Sequence, residues 1–312
     1  MPSSEILCVG EVLWDALPEG LFLGGAPFNV ACHLRAAGLT ATMVSRIGTD
    51  RLGEEVIRRA ERYGVGVDLI QVDPALPTGF VQVAVDDAGN PAYEILAPAA
   101  WDAIATSEAL LRRAADARAI VFGSLAQRHA TSRATIERLW ESSATMVLDV
   151  NLRPPYDDRE IVRRSLRRAD VVKLSVPELE RVGEWFSLRG DARAMVSTLA
   201  EQFRCSLVCL TRGSGGAAMW HDGSWSEHPG FEVEVRDTVG AGDAFLAVLL
   251  AGLLAGGSDA SLLQNANLIG AYVATQYGAV PAGQEAAVAP PSPPPAPSAP
   301  PASGRGRRRA KS

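Results

Sequence analysis

The feature that most constrains this chain is a rhythm in which short, unbroken apolar runs alternate with amphipathic helical patterns. The runs ILCVG, ATMVSRI, AIVFGS, TMVLDV, DVVKLS and SLVCLT are the length of single strands. Their lack of polar alternation suits strands covered on both faces. Between them, VACHLRAAG, LGEEVIRRAERYG, TIERLWE and IVRRSLRRA place apolar residues at helical spacing. Strand, crossover helix and next strand make right-handed units, so the expected fold is α/β: a doubly wound, largely parallel sheet between two helix layers. With 312 residues, 47% of them hydrophobic and 21% charged, the chain can bury a substantial core and lies outside the compositional range of disorder.

Two stretches break the rhythm. VLWDALPEGLFLGG and TGFVQVAVDDAGNPAYEIL read as antiparallel ribbons, the second with Val81, Val83 and Val85 alternating before the turn residues Asp86 to Asn90. Spanning about residues 11–25 and 78–98, they predict a small β lid beside the sheet edge. From about Ala286 to Ser303 the chain is Ala, Pro and Ser without a period, which continues neither helix nor strand. The expected organisation is one folded domain over residues 1–283 and a disordered tail over 284–312.

The tail carries Arg305, Arg307, Arg308, Arg309 and Lys311 against Glu285, so the formal net charge of −6 belongs to an acidic body. An acidic body argues against nucleic acid as partner. No run approaches the roughly 18 apolar residues of a membrane span, and MPSSEILCVG lacks the basic-then-apolar order of a leader, so no membrane partner and a cytoplasmic location are expected. Cys8, Cys32, Cys205 and Cys209 have no paired spacing and read as reduced thiols, with Cys205 and Cys209 sharing the buried face of Leu207 in CSLVCLT. None of the four histidines has the spacing of a metal site or a nucleophile triad. Trp101 and Tyr93 are assigned to the core.

Chemistry concentrates in RDTVGAGDAFLAVLLAGLLAGG, a glycine-rich turn opening an apolar helix. Gly240, Ala241 and Gly242 can bring backbone N–H groups close to an anion at the positive end of a helix dipole. Asp243, in the same first turn, can accept the proton of an attacking hydroxyl while the turn holds the phosphoryl group under attack. The alternative is a capped helix with a glycine turn. No GxxxxGK[ST] occurs, so a P-loop architecture is excluded, and no GxGxxG follows the first strand, which argues against a dinucleotide-binding one. Asp149, Asn151 and Arg153 stand at the carboxyl end of TMVLDV, where open α/β sheets bind ligands.

DTVGAGD, Asp237 to Asp243, resembles the second motif of the ribokinase-like (PfkB) carbohydrate kinases, and GGAPFNVACHLRAAG followed by VSRIGTDRLG, Gly24 to Gly53, is similar to the first. GEVLWD, AWDAI, DVNLRPPY, LTRGSGGA and YGAVPA extend the resemblance up to the tail. The resemblance implies a ribokinase-like fold and in-line transfer of the ATP γ-phosphoryl group to a primary sugar hydroxyl, with Asp243 as base and the Gly240 to Gly242 amides as anion hole. It assigns Asp15, Gly24, Gly25 and Asn29 to the sugar hydroxyls, and Arg153 to the substrate or to the surface. Asn151 faces the phosphates or substrate in the same scheme, with Thr211, Gly213, Gly216 and Asn267 on the nucleotide. The resemblance also implies that Glu178 orders Mg²⁺ through water, although Ser175 replaces the usual Asn and KLSVPELE is also a complete helix capping box. Asp237, Val239 and the loop near Gly278 are implied to hold a monovalent cation such as K⁺.

GEVLWD, GGAPFN, AAWD and DVNLRPPY look most like the fructokinase-like members, which makes fructose the expected sugar. A 2-keto-3-deoxygluconate, ribose or nucleoside kinase is the alternative within the family. A non-catalytic module that binds sugar or protein is the alternative outside it, motivated by Ser175 and the tail. A homodimer through the lid ribbons is a further expectation of the resemblance.

Overall fold

In a computed structural model, which describes residues 5–17, 20–85 and 91–281, the rhythm resolves into strands and crossover helices. Strand β1 (Glu5–Val9) leads to a hairpin of β2 (Leu13–Leu17) and β3 (Gly20–Gly24), then α1 (Ala26–Ala36), β4 (Thr40–Gly48), α2 (Arg51–Arg62) and β5 (Ile70–Asp73). A second hairpin, β6 (Gly79–Val85) and β7 (Pro91–Ile95), precedes α3 (Glu108–Asp116), β8 (Ala119–Gly123), α4 (Ala130–Leu139), β9 (Thr145–Asp149), α5 (Arg159–Leu166) and β10 (Val171–Ser175). Then come α6 (Val176–Phe186), α7 (Ala192–Phe203), β11 (Leu207–Thr211), the hairpin β12 (Ala217–His221) and β13 (Ser224–His228), and finally α8 (Ala241–Leu254) and α9 (Asp259–Ala274). The turn Asp86 to Asn90, the boundary expected near Gly283 and the tail lie outside the described residues.

The main sheet has nine strands in the order β13-β12-β11-β10-β9-β8-β1-β4-β5. It is parallel from β5 through β11, and β12 and β13 add an antiparallel edge. Both faces are covered, which is why the strands are apolar without alternation. Ile6, Cys8, Val121 and Leu207 pack with Phe28, Leu246 and Leu263 on one side. Leu7, Val9, Phe122 and Leu174 pack with Leu139, Val162 and Val196 on the other. The fold is therefore a doubly wound, largely parallel α/β sheet between two helix layers, as the sequence predicts.

The two ribbons join as one small sheet, β3-β2-β6-β7, through a parallel pairing of β2 with β6 between the two antiparallel hairpins. Its root is fixed by Arg128, whose guanidinium makes two 2.8 Å bonds to Asp102 and donates to the Leu96 carbonyl at 2.9 Å. The same cation lies over the rings of Trp101 and Tyr156, at 4.0 and 4.5 Å. Tyr156 in turn donates to the Ile95 carbonyl. Trp101 is fully buried, as expected of a core residue.

One expectation about the cysteines is corrected. All four are free and buried, but Cys205 precedes β11 and packs in the cluster opposite to that of Cys209 and Leu207. Strand parity does not extend to a residue that stands before the strand begins. Burial pushes the Cys205 and Cys209 thiols up to about 12. Among the described residues, no helix is long and apolar enough to cross a membrane.

Candidate active site

The parallel strands end along one edge of the sheet, and the links that follow them carry the candidate residues. At the start of α8, Gly240 caps the helix with φ 78, and a side chain there would strike Ala279. Ala241, Gly242 and Asp243 form the first turn. Of the three amides expected to make an anion hole, that of Ala241 bonds back to the Thr238 carbonyl at 3.2 Å. The next two amides, of Gly242 and Asp243, precede the helix's own bonding pattern and point from its positive end.

Asp243 is not a cap, because Gly240 holds that position. Its Oδ2 accepts a 2.8 Å bond from Nδ2 of Asn29. Asn29 is not a cap either: α1 is capped by Gly25, at φ 110, and Asn29 lies one turn inside, 4% exposed. A side chain at Gly25 would meet the Glu11 carbonyl, so only glycine lets β2, β3 and α1 converge here. Asp15 on β2 leans over Gly24, its Oδ2 2.7 Å from where a Cβ on that glycine would stand. Burial pushes Asp15 up to about 6, while Arg153 pulls it down. Arg153 is exposed and donates to the neighbouring Leu152 carbonyl at 3.0 Å. Its charge lowers the proton affinity of both Asp15 and Glu11.

Two residues of this region escape the sequence reading. Lys173 on β10 is 7% exposed and contacts both oxygens of Asp149 at 3.0 Å. Its Nζ lies 3.1 Å from the position of a Cβ on Gly242, so the ammonium sits directly under the glycine turn. Burial opposes the Lys173 charge, but Asp149, Glu178 and Asp243 outweigh it and hold the ammonium above its ordinary range. Burial pushes Asp149 up to about 6, against the pull of Lys173. Glu11 is the second omission. Apolar strand patterns hide a buried ion pair, and Glu11, although it lies inside GEVLWD, received no role because the resemblance assigns it none.

Beyond the turn lies a cleft of about 880 Å³, within the range of ligand pockets. Thr211, Gly213, Gly216, Asn267, Ala241 and Gly242 line it, and Phe231, Val233 and Val235 add an apolar lip that the sequence did not announce. Asn267 is buried and donates to the Leu263 carbonyl at 2.7 Å. Asn151, with φ 39, stands at the end of β9 and is not on the wall of this cleft.

Glu178 forms the capping box: Oε2 accepts from the Ser175 amide and hydroxyl at 2.7 and 2.8 Å, and Oε1 from the Leu152 amide at 2.8 Å. Among the described residues, no three acidic, His or Cys side chains gather as a metal cage. A lone carboxylate still fits Mg²⁺, which keeps its waters and takes phosphate oxygens as ligands. Asp237 accepts from the amides of Val239 at 2.9 Å and Gly278 at 3.0 Å, tying together the two loops named for a monovalent cation.

A carboxylate in a helix's first turn thus stands between a polar hollow and a cleft of about 880 Å³, an arrangement suited to phosphoryl transfer onto a small molecule. The pattern of the pfkB family carbohydrate kinases matches residues 19–286. A fructokinase of Klebsiella pneumoniae is 30% identical over 299 residues, which cover 90% of this chain and 96% of that one. The crystal structure of a fructokinase with bound ATP from Xylella fastidiosa is similar with a TM-score of 0.77 at 26% identity, over 89% of this chain and 94% of that one. Fructokinase from Vibrio cholerae O395, in its fructose, ADP and calcium ion bound form, gives 0.75 at 25% identity, over 90% and 96%. The chain belongs to the pfkB family of carbohydrate kinases and is a sugar phosphotransferase.

Proposed function

We propose that this protein phosphorylates D-fructose at a primary hydroxyl, using ATP. The observation that carries the reading is the 2.8 Å bond between Asn29 and Asp243, which joins the polar hollow beside the lid to the first turn of α8. Asp15, the Gly24 to Gly25 turn and Asn29 bind the sugar, and Asn29 orients Asp243. Asp243 accepts the proton as the hydroxyl oxygen attacks phosphorus. The Gly242 and Asp243 amides stabilise the charge on the transferring group, with the Lys173 ammonium beneath them. Asn267 and the loop of Thr211, Gly213 and Gly216 hold the nucleotide, with Asn151 and Arg153 toward the substrate or its phosphates. When bound, Mg²⁺ near Glu178 neutralises phosphate charge, and K⁺ beside Asp237 and Val239 supports the glycine turn. The lid closes over the sugar and excludes water, which protects ATP from hydrolysis.

The fructose- and ADP-bound relative and the shared fructokinase resemblance support fructose over other sugars. ADP release with Mg-ATP and K⁺ across fructose, ribose, 2-keto-3-deoxygluconate and adenosine tests the choice. Fructose is expected to be fastest, and Asp243→Asn to lower kcat by about 100- to 10,000-fold. Faster turnover of 2-keto-3-deoxygluconate would transfer the assignment to Arg153 and a carboxylate. No release with any acceptor would favour a non-catalytic sugar-binding module. Light scattering tests the further proposal of a dimer through the lid.

A further inference from the structure

Of the eight residues that α1 buries, only Asn29 and His33 are polar. An apolar side chain in either place would pack without the cost of taking a polar group out of water, so each is explained by its partner. Asn29 holds Asp243. His33, one turn further along the same face of the helix, is 2% exposed, and its Nε2 lies 2.9 Å from the Ala279 carbonyl oxygen. A carbonyl only accepts, so Nε2 carries the hydrogen and donates it.

The oxygen that His33 holds abuts the glycine turn. It lies 2.6 Å from where a Cβ on Gly240 would stand, so the cap of α8 rests directly on Ala279. The amide of the preceding residue, Gly278, donates to Asp237 at 3.0 Å, and the other oxygen of Asp237 accepts from the Val239 amide at 2.9 Å. The loop of Gly278 and Ala279 is thus fastened on one side to the approach of the glycine turn and on the other to α1. Helix α1 therefore meets the start of α8 twice. Asn29 holds the carboxylate, and His33, through Ala279, backs the turn that carries the Gly242 and Asp243 amides.

We propose that His33 is a positioning residue for phosphoryl transfer: by holding Ala279 against Gly240 it keeps the amides of the glycine turn in register with the carboxylate that Asn29 orients. The proposal rests on the reading of that turn as the anion hole and of Asp243 as the base. His33 exchanges no proton with the reactants and acts only through Ala279 and Gly240.

The test compares the full chain with His33→Leu, which fills the space but cannot donate, and with His33→Gln, which keeps an N–H donor. One readout is kcat and KM with fructose and Mg-ATP. The other is hydrogen–deuterium exchange without ligands, followed in peptides covering residues 237–245 and 275–281. His33→Leu is expected to lose about 10- to 100-fold in kcat with KM for fructose little changed, because the turn is displaced and the sugar contacts are not. Exchange is expected to quicken in both peptides and to stay at the parent's rate in β1 and β4. His33→Gln is expected to recover most of the turnover and of the protection. His33→Asn, polar but too short for the bond, gives the same comparison if the leucine variant does not fold.

A lower thermal midpoint in His33→Leu, with kcat and the exchange of residues 237–245 at the parent's values, would leave His33 a structural residue and overturn the proposal. A glutamine variant no more active than the leucine variant would overturn it equally. Turnover retained in Asp243→Asn, or no ADP release by the parent with any sugar, would instead overturn the reading of the turn on which the proposal rests, and the proposal with it.

Discussion

Lys173 and Asp149 illustrate how one residue's environment is made by others. Each is nearly sealed from water, with side chains 8% and 4% exposed, and each is tolerable only because of the other. Lys173→Met should destabilise the protein by about 3–5 kcal/mol in urea unfolding, because it leaves Asp149 buried and unpaired. Pairing that change with Asp149→Leu should recover much of the stability but not the activity, since the charge beneath the glycine turn is gone. Asp15 yields a pH signature. Burial raises it to about 6, so KM for the sugar should rise as pH falls through 6 and the carboxylate is neutralised. By the same linkage, the stability Asp15 contributes is present below its ordinary range and lost as pH rises through 6. Asp15→Asn is therefore expected to bind sugar weakly at every pH while being no less stable than the parent at neutral pH.

At the scale of elements, the lid depends on its root. Arg128 and Asp102 are 6% and 5% exposed at the side chain, and together they tie the end of β7 to the main sheet and to the ring of Tyr156. Arg128→Gln leaves Asp102 buried without its cation. It should lose about 3–5 kcal/mol of stability, raise KM for the sugar more than KM for ATP, and increase ADP release in the absence of sugar. Unchanged sugar-free ADP release would separate the lid from water exclusion. Elements differed in how legible they were. The βαβ units were read from pattern because their strands lie in the middle of the sheet, where both faces demand apolar residues. The hairpin of β12 and β13 was passed over, although Asp222 and Gly223, with φ 45 and 87, are the dipeptide that such a turn prefers. Its strand β13 lies at the sheet edge and mixes polar with apolar residues, so hydropathy alone did not mark it.

For the whole molecule, the two apolar clusters share the same strands, since alternate residues of β1, β8, β9, β10 and β11 face opposite helix layers. Neither layer can be removed without exposing the other's sheet face. Urea unfolding should therefore be one transition, with the fluorescence of Trp14, in one cluster, and of Trp101 and Trp140, in the other, changing together with far-ultraviolet circular dichroism. Separate midpoints by fluorescence and by circular dichroism would mean that the layers unfold independently.

The sequence by itself determined the α/β class, the lid ribbons and the glycine turn with Asp243, because those depend on local period, on backbone freedom at glycine and on the residue after it. It also marked Asp15, Asn29, Thr211 and Asn267 through motifs that keep their spacing along the chain. What only the tertiary structure decided is how the pieces meet: that Asn29 and Asp243, 214 positions apart, are hydrogen-bonded, that Lys173 lies under Gly242, and that Glu11 is sealed from water. Burial, pairing and proton affinity belong to the space between elements. A linear pattern carries the propensity of each element but not the distance or dielectric between them.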